Sequence, residues 1–293
     1  MPIQGPSAKA SSLQHEEAAL TQRAVPGPAL YSVCTIPAER PKLVVGLLHG
    51  YADHAARYSR VMDLWAGKGI LSVAIDMRGH GRATGLRGYC ARFDEFLDDA
   101  AELARLVQDR AHGAPSFLFG HSFGGLVAAM SVIESPRSWR GVVLSGPYFG
   151  LAMPVAPVKL AAGKIASRLI PKLSLPTGIK GSDLTHDAAR GKEYEDDPLV
   201  FKNARARWFT ETQAAQERAF SRAGALTMPL YVLFGSEDPI AKMSAAKRFF
   251  DFTGSSDKTW DERAGLRHET LNERPEEADA VATSIADWML RHV

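Results

Sequence analysis

Residues 116–134 read SFLFGHSFGGLVAAMSVIE, and this stretch decides the fold. Positions 116–120 form a short apolar run of strand length, while 124–134 shows apolar residues at three- and four-residue spacing, as a buried helix does. Between them, Gly120-His121-Ser122-Phe123-Gly124 must turn the chain from strand to helix within a few residues. So tight a turn leaves no room for side chains two positions before and after the serine, and glycine meets that demand. The serine hydroxyl is then lifted clear at the helix N-terminus, the setting of a nucleophile elbow. Gly-x-Ser-x-Gly alone is a weak pattern, and the strand before it and helix after it give it weight. The alternative is a glycine-rich turn with an incidental serine.

Outward from this point the same rhythm repeats. Apolar, β-rich runs at 30–36, 43–48, 71–76, 141–145, 230–235 and 258–261 alternate with helical patterns at 58–68, 93–109, 244–252 and 275–291. That alternation predicts an α/β fold with a mostly parallel central sheet and helices on both faces. Runs 30–36 and 43–48, split by a turn with prolines at 37 and 41, predict a hairpin. The rhythm breaks between residues 145 and 230, where prolines stand at 147, 154, 157, 171, 176 and 198 and no convincing strand is visible. The expected organisation is a core of residues 28–146 and 226–293, interrupted by a helical cap or lid at 147–225. Residues 1–27, polar and small, are expected to form a flexible tail.

The 293-residue chain is 45% hydrophobic, enough for a sizeable core. Its 35 Lys and Arg stand against 33 Asp and Glu, a net charge of +2 that offers no field for gripping nucleic acid. Two cysteines, Cys34 and Cys90, cannot build a disulfide framework or a four-cysteine zinc site, which points to a reducing compartment and a cytoplasmic location. The first 25 residues carry Glu16 and Glu17 and no apolar core of signal-peptide length. No window approaches the roughly 18 apolar residues of a membrane span, so the chain is expected to be soluble or at most peripheral.

A serine hydroxyl attacks only when an imidazole removes its proton, and the imidazole needs a carboxylate to fix its tautomer and stabilise its cation. On a strand–elbow–helix scaffold the chain order is Ser, acid, His. Of the nine histidines only His186, His268 and His292 follow Ser122. His186 falls in the insertion and His292 is next to last on the terminal helix, which leaves His268. For the acid, Gly235-Ser236-Glu237-Asp238-Pro239 follows an apolar run, where the turn after a late strand should present a carboxylate. Asp238 is preferred over Glu237 because its side chain is shorter and Pro239 fixes the turn just beyond it. A tetrahedral intermediate also needs two N–H donors. The amide of Phe123, after the nucleophile, and that of Tyr51, in the His49-Gly50-Tyr51 loop after run 43–48, are the oxyanion-hole candidates. No metal or cofactor is expected, and an H-E-x-x-H pair is lacking.

Six segments, His49-Gly50-Tyr51-Ala52-Asp53-His54, Asp76-Met77-Arg78-Gly79-His80-Gly81, Gly120-His121-Ser122-Phe123-Gly124-Gly125, Asp196-Asp197-Pro198-Leu199, Gly235-Ser236-Glu237-Asp238 and His268-Glu269-Thr270-Leu271-Asn272-Glu273, stand in order along the chain. Together they resemble the successive motifs of the monoacylglycerol lipase and lysophospholipase branch of the α/β-hydrolases, over roughly residues 28–293. The resemblance implies a cofactor-free serine hydrolase in which Ser122 forms an acyl-enzyme with an ester of a single-chain lipid. It further implies that Asp53 and Arg57 organise the oxyanion loop and help hold the glycerol end. The chain departs from the family at Asp53, often Glu, at Ala83, commonly Ser, and at Leu271, where mammalian monoacylglycerol lipases carry a second histidine. A general carboxylesterase for small soluble esters and a non-catalytic ligand-binding protein are the competing readings.

Within the insertion, Val158, Ala162, Ile165 and Leu169 share one helical face, bounded by Pro157 and Pro171. Residues 151–180 hold five cations (Lys159, Lys164, Arg168, Lys172, Lys180) and no acid. An apolar face flanked by cations suits a lid in peripheral contact with a lipid membrane. The alternative is a stripe packed over the top of the sheet.

Overall fold

The computed structural model describes residues 13–22, 27–136, 139–153 and 157–293. In chain order it runs β1 (Gln14–Leu20), β2 (Leu30–Ile36), β3 (Leu43–Leu48), α1 (Ser59–Gly67), β4 (Ile70–Asp76), α2 (Asp94–Ala111), β5 (Ser116–His121), α3 (Phe123–Glu134) and β6 (Gly141–Ser145). There follow α4 (Pro157–Leu169), β7 (Ser174–Pro176), α5 (Gly181–Leu184), α6 (Ala188–Asp196), β8 (Asn203–Arg205), α7 (Ala206–Arg222), β9 (Leu230–Gly235), α8 (Met243–Phe252), β10 (Lys258–Arg263) and α9 (Pro275–Arg291). Eight strands form one sheet in the order β1-β2-β4-β3-β5-β6-β9-β10. The β1–β2 and β2–β4 pairs are antiparallel, and every other neighbouring pair is parallel.

The apolar runs are continuous rather than alternating because both faces of the sheet are covered. In β3, Val44 and Leu48 join the core beneath α2 and α3, while Leu43, Val45 and Leu47 join the core formed with α1 and α9. Phe117 and Phe119 point the same way as Val45, and Leu118 points with Val44. The Trp65 indole of α1 donates to the Ala282 carbonyl of α9 at 2.9 Å and ties the two helices of that face. From β3 the chain passes to β4 on one side and then to β5 on the other, so the strand order reverses at the C-terminal ends of β3 and β5. A crevice opens at such a switch point, and the loops carrying Tyr51 and Ser122 flank it.

Three expectations are corrected. The hairpin between runs 30–36 and 43–48 does not form: β2 pairs antiparallel with β4, which lies between β2 and β3. Two consecutive apolar runs carry no information on whether a later strand will intervene. The expected tail contains a strand, β1, outside the apolar periodicity because almost all of it is exposed. It is held through its backbone along the edge of β2, with Tyr31 donating to Glu17 at 2.7 Å and Arg110 reaching Glu16 at 3.1 Å. The rest of the expected tail, residues 1–12 and 23–26, lies outside the described residues. Within the insertion, β7 and β8 form a two-stranded antiparallel ribbon of three residues each, too short to show a period.

Candidate active site

Ser122 stands between β5 and α3 in a left-handed backbone conformation, with φ 52° and ψ −117°, which a non-glycine residue adopts only where its surroundings enforce it. The enforcement is visible. A Cβ on Gly120 would run into the Gly124 carbonyl, and one on Gly124 into the His49 and Leu48 carbonyls, so strand, elbow and the loop before Tyr51 approach backbone to backbone. The Ser122 amide donates to the Ser145 carbonyl at 2.9 Å, and the Ser122 carbonyl accepts from Gly125 and Tyr148 at 2.9 and 3.0 Å. The turn is thus locked and its hydroxyl is directed outward at the helix N-terminus.

His268 meets this hydroxyl. Its Nε2 lies 2.8 Å from Ser122 Oγ and its Nδ1 lies 2.6 Å from Asp238 Oδ2. The other carboxylate oxygen of Asp238 accepts the backbone N–H groups of Ile240 and Ala241 at 2.8 and 2.9 Å, in the turn beyond Pro239. Burial favours the neutral imidazole of His268, but the charge and hydrogen bond of Asp238, with Glu269 and Asp53 behind it, outweigh burial and raise its pKa above 6.5. Glu237 turns elsewhere, its Oε2 lying 3.3 Å from His186 Nε2.

Tyr51 and Phe123 flank the serine with backbone amides that donate to no described residue. His49, to which the sequence assigns no role beyond its place in the loop before Tyr51, aims the first of them. Its Nε2 accepts from the Met77 amide at 3.0 Å, which places the proton on Nδ1, 2.7 Å from the Gly50 carbonyl oxygen. The Gly50 carbonyl and the Tyr51 N–H belong to one planar trans peptide and point in opposite directions, so fixing one aims the other. Burial lowers the His49 pKa and keeps the ring in this neutral form.

Arg57 lies behind the loop rather than on the cavity wall. Its guanidinium donates to Asp53 Oδ1 at 3.0 Å and to both oxygens of Glu269 at 2.8 and 2.7 Å, with its side chain 11% exposed. Tyr58 adds a hydrogen bond to Asp53 at 3.0 Å. Burial works to raise both carboxyl pKa values, but the charge of Arg57 outweighs it, and Asp53 and Glu269 are held ionised below the ordinary carboxylate range. Since Asp53 follows the loop carrying Tyr51 and Glu269 follows His268, this guanidinium joins the two halves of the site. Sequence inspection placed Glu269 inside a motif without a role, and only its adjacency to His268 hinted at one. Leu271 is buried in the core rather than set at the cavity.

The insertion braces the same loop. The buried carboxylate of Glu273 accepts from the amides of Arg267 and His186, both at 2.8 Å, and stands 3.0 Å from His186 Nδ1. The Glu269 amide donates to the Leu184 carbonyl at 2.8 Å.

A cavity of about 320 Å³ opens over Ser122 and His268. Tyr51 and Phe123 form its floor, while Leu151, Ile179, Leu184, Trp208, Phe209 and Ile240 give it apolar walls. Its charged lining consists of Asp53, Asp183 and Glu269, with no lysine or arginine among the described residues. Burial and the neighbouring His268 push His121, also on the wall, down to about 4, so that it stays neutral. Beyond the cavity, Val158, Ile165 and Leu169 of α4 are 74%, 60% and 76% exposed. The stripe therefore faces away from the protein, and the alternative of packing on the sheet does not hold. The buried Ser167, 2.6 Å from Thr210, marks the side of α4 that meets α7. No helix among the described residues is long and apolar enough to cross a membrane.

The family model described as serine aminopeptidase, S33, matches residues 39–275. The chain is 30% identical over 265 residues to a monoacylglycerol lipase of Mycolicibacterium smegmatis, covering 90% of this chain and 93% of that one. It is also 30% identical to phospholipase YtpA of Bacillus subtilis, covering 84% and 94%. Among solved structures, the monoacylglycerol lipase of Paleococcus ferrophilus superposes with a TM-score of 0.81 at 29% identity, over 90% of this chain and 99% of that one, and shares the α/β-hydrolase fold.

Proposed function

The chain belongs to the serine aminopeptidase, S33, family of α/β-hydrolases and is a serine ester hydrolase; on that premise we propose that it cleaves neutral single-chain lipid esters, monoacylglycerols foremost, through an acyl-enzyme on Ser122. The supporting observation is the continuous chain of hydrogen bonds Ser122–His268–Asp238 at 2.8 and 2.6 Å. In the proposed reaction Ser122 Oγ attacks the ester carbonyl as its proton passes to His268 Nε2. Asp238, anchored by two backbone amides, holds the imidazole and stabilises its cation. The oxyanion receives the N–H groups of Tyr51 and Phe123 at the positive end of α3. His268 then protonates the departing alcohol, and a water molecule activated by the same imidazole releases the fatty acid.

The charge of the cavity selects among lipid esters. Among the described residues its charged lining is acidic apart from histidine, which offers a phosphate head group no cation and suits the uncharged hydroxyls of glycerol. In this reading Asp53 and Glu269 face the alcohol, and Arg57 positions both rather than touching substrate. Residues 147–225 act as a cap over a core of 28–146 and 226–293, and the exposed stripe of α4 with Lys164 and Arg168 rests on a membrane surface from which the substrate is taken. Hydrolysis measured in parallel on monooleoylglycerol, lysophosphatidylcholine, p-nitrophenyl acetate and an aminoacyl anilide tests the substrate class. Preference for monooleoylglycerol is expected; equal or faster turnover of the lysophospholipid would refute the charge argument, and turnover of the acetate or anilide alone would refute the lipid reading.

A further inference from the structure

We propose that a second cavity, between α7 and α8, is a binding site for the carboxylate of a single-chain amphiphile, foremost the fatty acid released at Ser122; this rests on the function proposed above for the identity of the ligand. The cavity measures about 350 Å³ and has an aromatic floor of Phe149, Phe209 and Phe220. Among the described residues its only charged lining residues are Lys242 and Arg248. Neither forms an ion pair with any described residue, although Lys247, beside Arg248, is paired with Asp251. Arg248 instead lies 4.6 Å from the Phe220 ring centroid and 5.7 Å from that of Phe252. Stacking of this kind orders a guanidinium while leaving its edge free to donate. Gln213 adds a side-chain amide whose buried oxygen is unpartnered among the described residues, and rotation of the amide offers a carboxylate an N–H group.

The location gives this site its meaning. Tyr148, Leu151, Met153 and Phe209 line both cavities and form a shared apolar wall. On one side of the wall the charged groups are carboxylates, and on the other they are cations. Hydrolysis converts a neutral ester into a carboxylate, so the product alone gains a charge that favours moving from the first cavity to the second, while its hydrocarbon chain can remain against the shared wall. The second cavity thereby provides a way out separate from the way in.

The test is calorimetric titration with laurate, below its micellar concentration, of full-length protein whose Ser122 has been capped with hexadecylsulfonyl fluoride. The capped protein is expected to bind one equivalent. Lys242→Gln with Arg248→Gln should weaken laurate binding about tenfold and leave dodecanol binding unchanged. Both residues are exposed and form no ion pair with a described residue, so the double variant should stay within a few degrees of the wild-type melting temperature and keep its turnover of a short soluble ester. Loss of laurate binding on capping, or wild-type laurate affinity in the double variant, would overturn the proposal. Binding is read without turnover. A protein that binds laurate in this charge-dependent way but hydrolyses no lipid ester refutes the function and keeps the site. If Ser122 resists capping, the laurate and dodecanol titrations of the uncapped pair still decide.

Discussion

Replacing Arg57 with Met removes one guanidinium that now makes three hydrogen bonds of 2.7–3.0 Å to two buried carboxylates. Met fills much of the volume, so the loss is electrostatic rather than a cavity. Asp53 and Glu269 would remain ionised at neutral pH with no nearby cation, and stranding a buried charge in this way costs about 3–5 kcal/mol. For a chain of this size that corresponds to a fall of about 10 °C in Tm. The pH dependence carries the sign. In the wild type, Arg57 holds both carboxyl pKa values below their usual range, so their contribution is present above the unfolded values of about 3.9 and 4.3 and fades as pH falls. In the variant, burial loses its main counterweight and both values rise, so protonation relieves the strain as the pH drops. The Tm gap between the proteins should therefore be widest near pH 7 and narrow by at least half at pH 4.5. Activity separates a positioning role from contact with the substrate. Because Arg57 joins the oxyanion and His268 loops, kcat should fall by a similar factor on monooleoylglycerol and on p-nitrophenyl acetate. A rise in KM confined to the glycerol ester, or a Tm gap that is small or constant with pH, would refute the reasoning.

Ser122→Ala and His268→Ala should each lower kcat by about 10⁴-fold or more without a loss of Tm above a few degrees, and activity within tenfold of wild type in either would overturn the assignment. Asp238→Asn should cost about 10³–10⁴-fold by presenting the wrong partner to the imidazole, whereas Glu237→Gln, whose carboxylate faces His186, should cost little; the reverse ranking would exchange their roles. The acid limb of kcat/KM should have its midpoint above pH 6.5, because the base must be neutral and Asp238 favours its protonated form; a midpoint below pH 6 contradicts this. Ile165→Ser with Leu169→Ser should reduce co-sedimentation with anionic vesicles about tenfold or more while sparing a short soluble ester, and equal losses on both would assign the stripe to structure instead.

Much of this was legible from spacing. The strands with two buried faces announce themselves as apolar runs, and the sequence limits of β6, β9 and α9 coincide with those observed. Ser122, Asp238 and His268 were selected by local turn chemistry and chain order, and the fold brings them within hydrogen-bonding distance of one another. What escaped was of two kinds. The exposed edge strand β1 and the short β7–β8 ribbon are held by main-chain pairing, which leaves no hydrophobic period. The partnerships of His49 with the Met77 amide, of Arg57 with Glu269 and of His186 with Glu273 link residues 28, 212 and 87 positions apart. No local pattern encodes such pairs. The charge split between the two cavities is hidden for the same reason, since each wall draws on distant segments.

These long-range bonds also divide the insertion by mechanical role. Its stretch around Leu184–His186 is bonded to the backbone on both sides of His268, through the Leu184 carbonyl and the Glu273 carboxylate. Displacing that stretch would move the His268 imidazole away from Ser122 and leave a buried carboxylate short of donors, so in the proposed reaction it stays in place through a catalytic cycle. The outer part is different. Residues 158–175 carry Val158, Ile165, Leu169, Ile170 and Leu175 in exposed positions, and α4 is tied to the rest of the protein chiefly through α7. Among the described side chains of α4 little apolar burial opposes its movement, and in the function proposed above contact with a lipid surface offsets the exposure of its stripe. In the function proposed above, admission of a long acyl chain falls to the α4 side of the insertion, while the α5 and α6 side maintains the geometry of the reacting groups. On that proposal one polypeptide segment serves entry and rigidity at opposite ends, and the boundary between the two is set by where its backbone is bonded to the His268 loop.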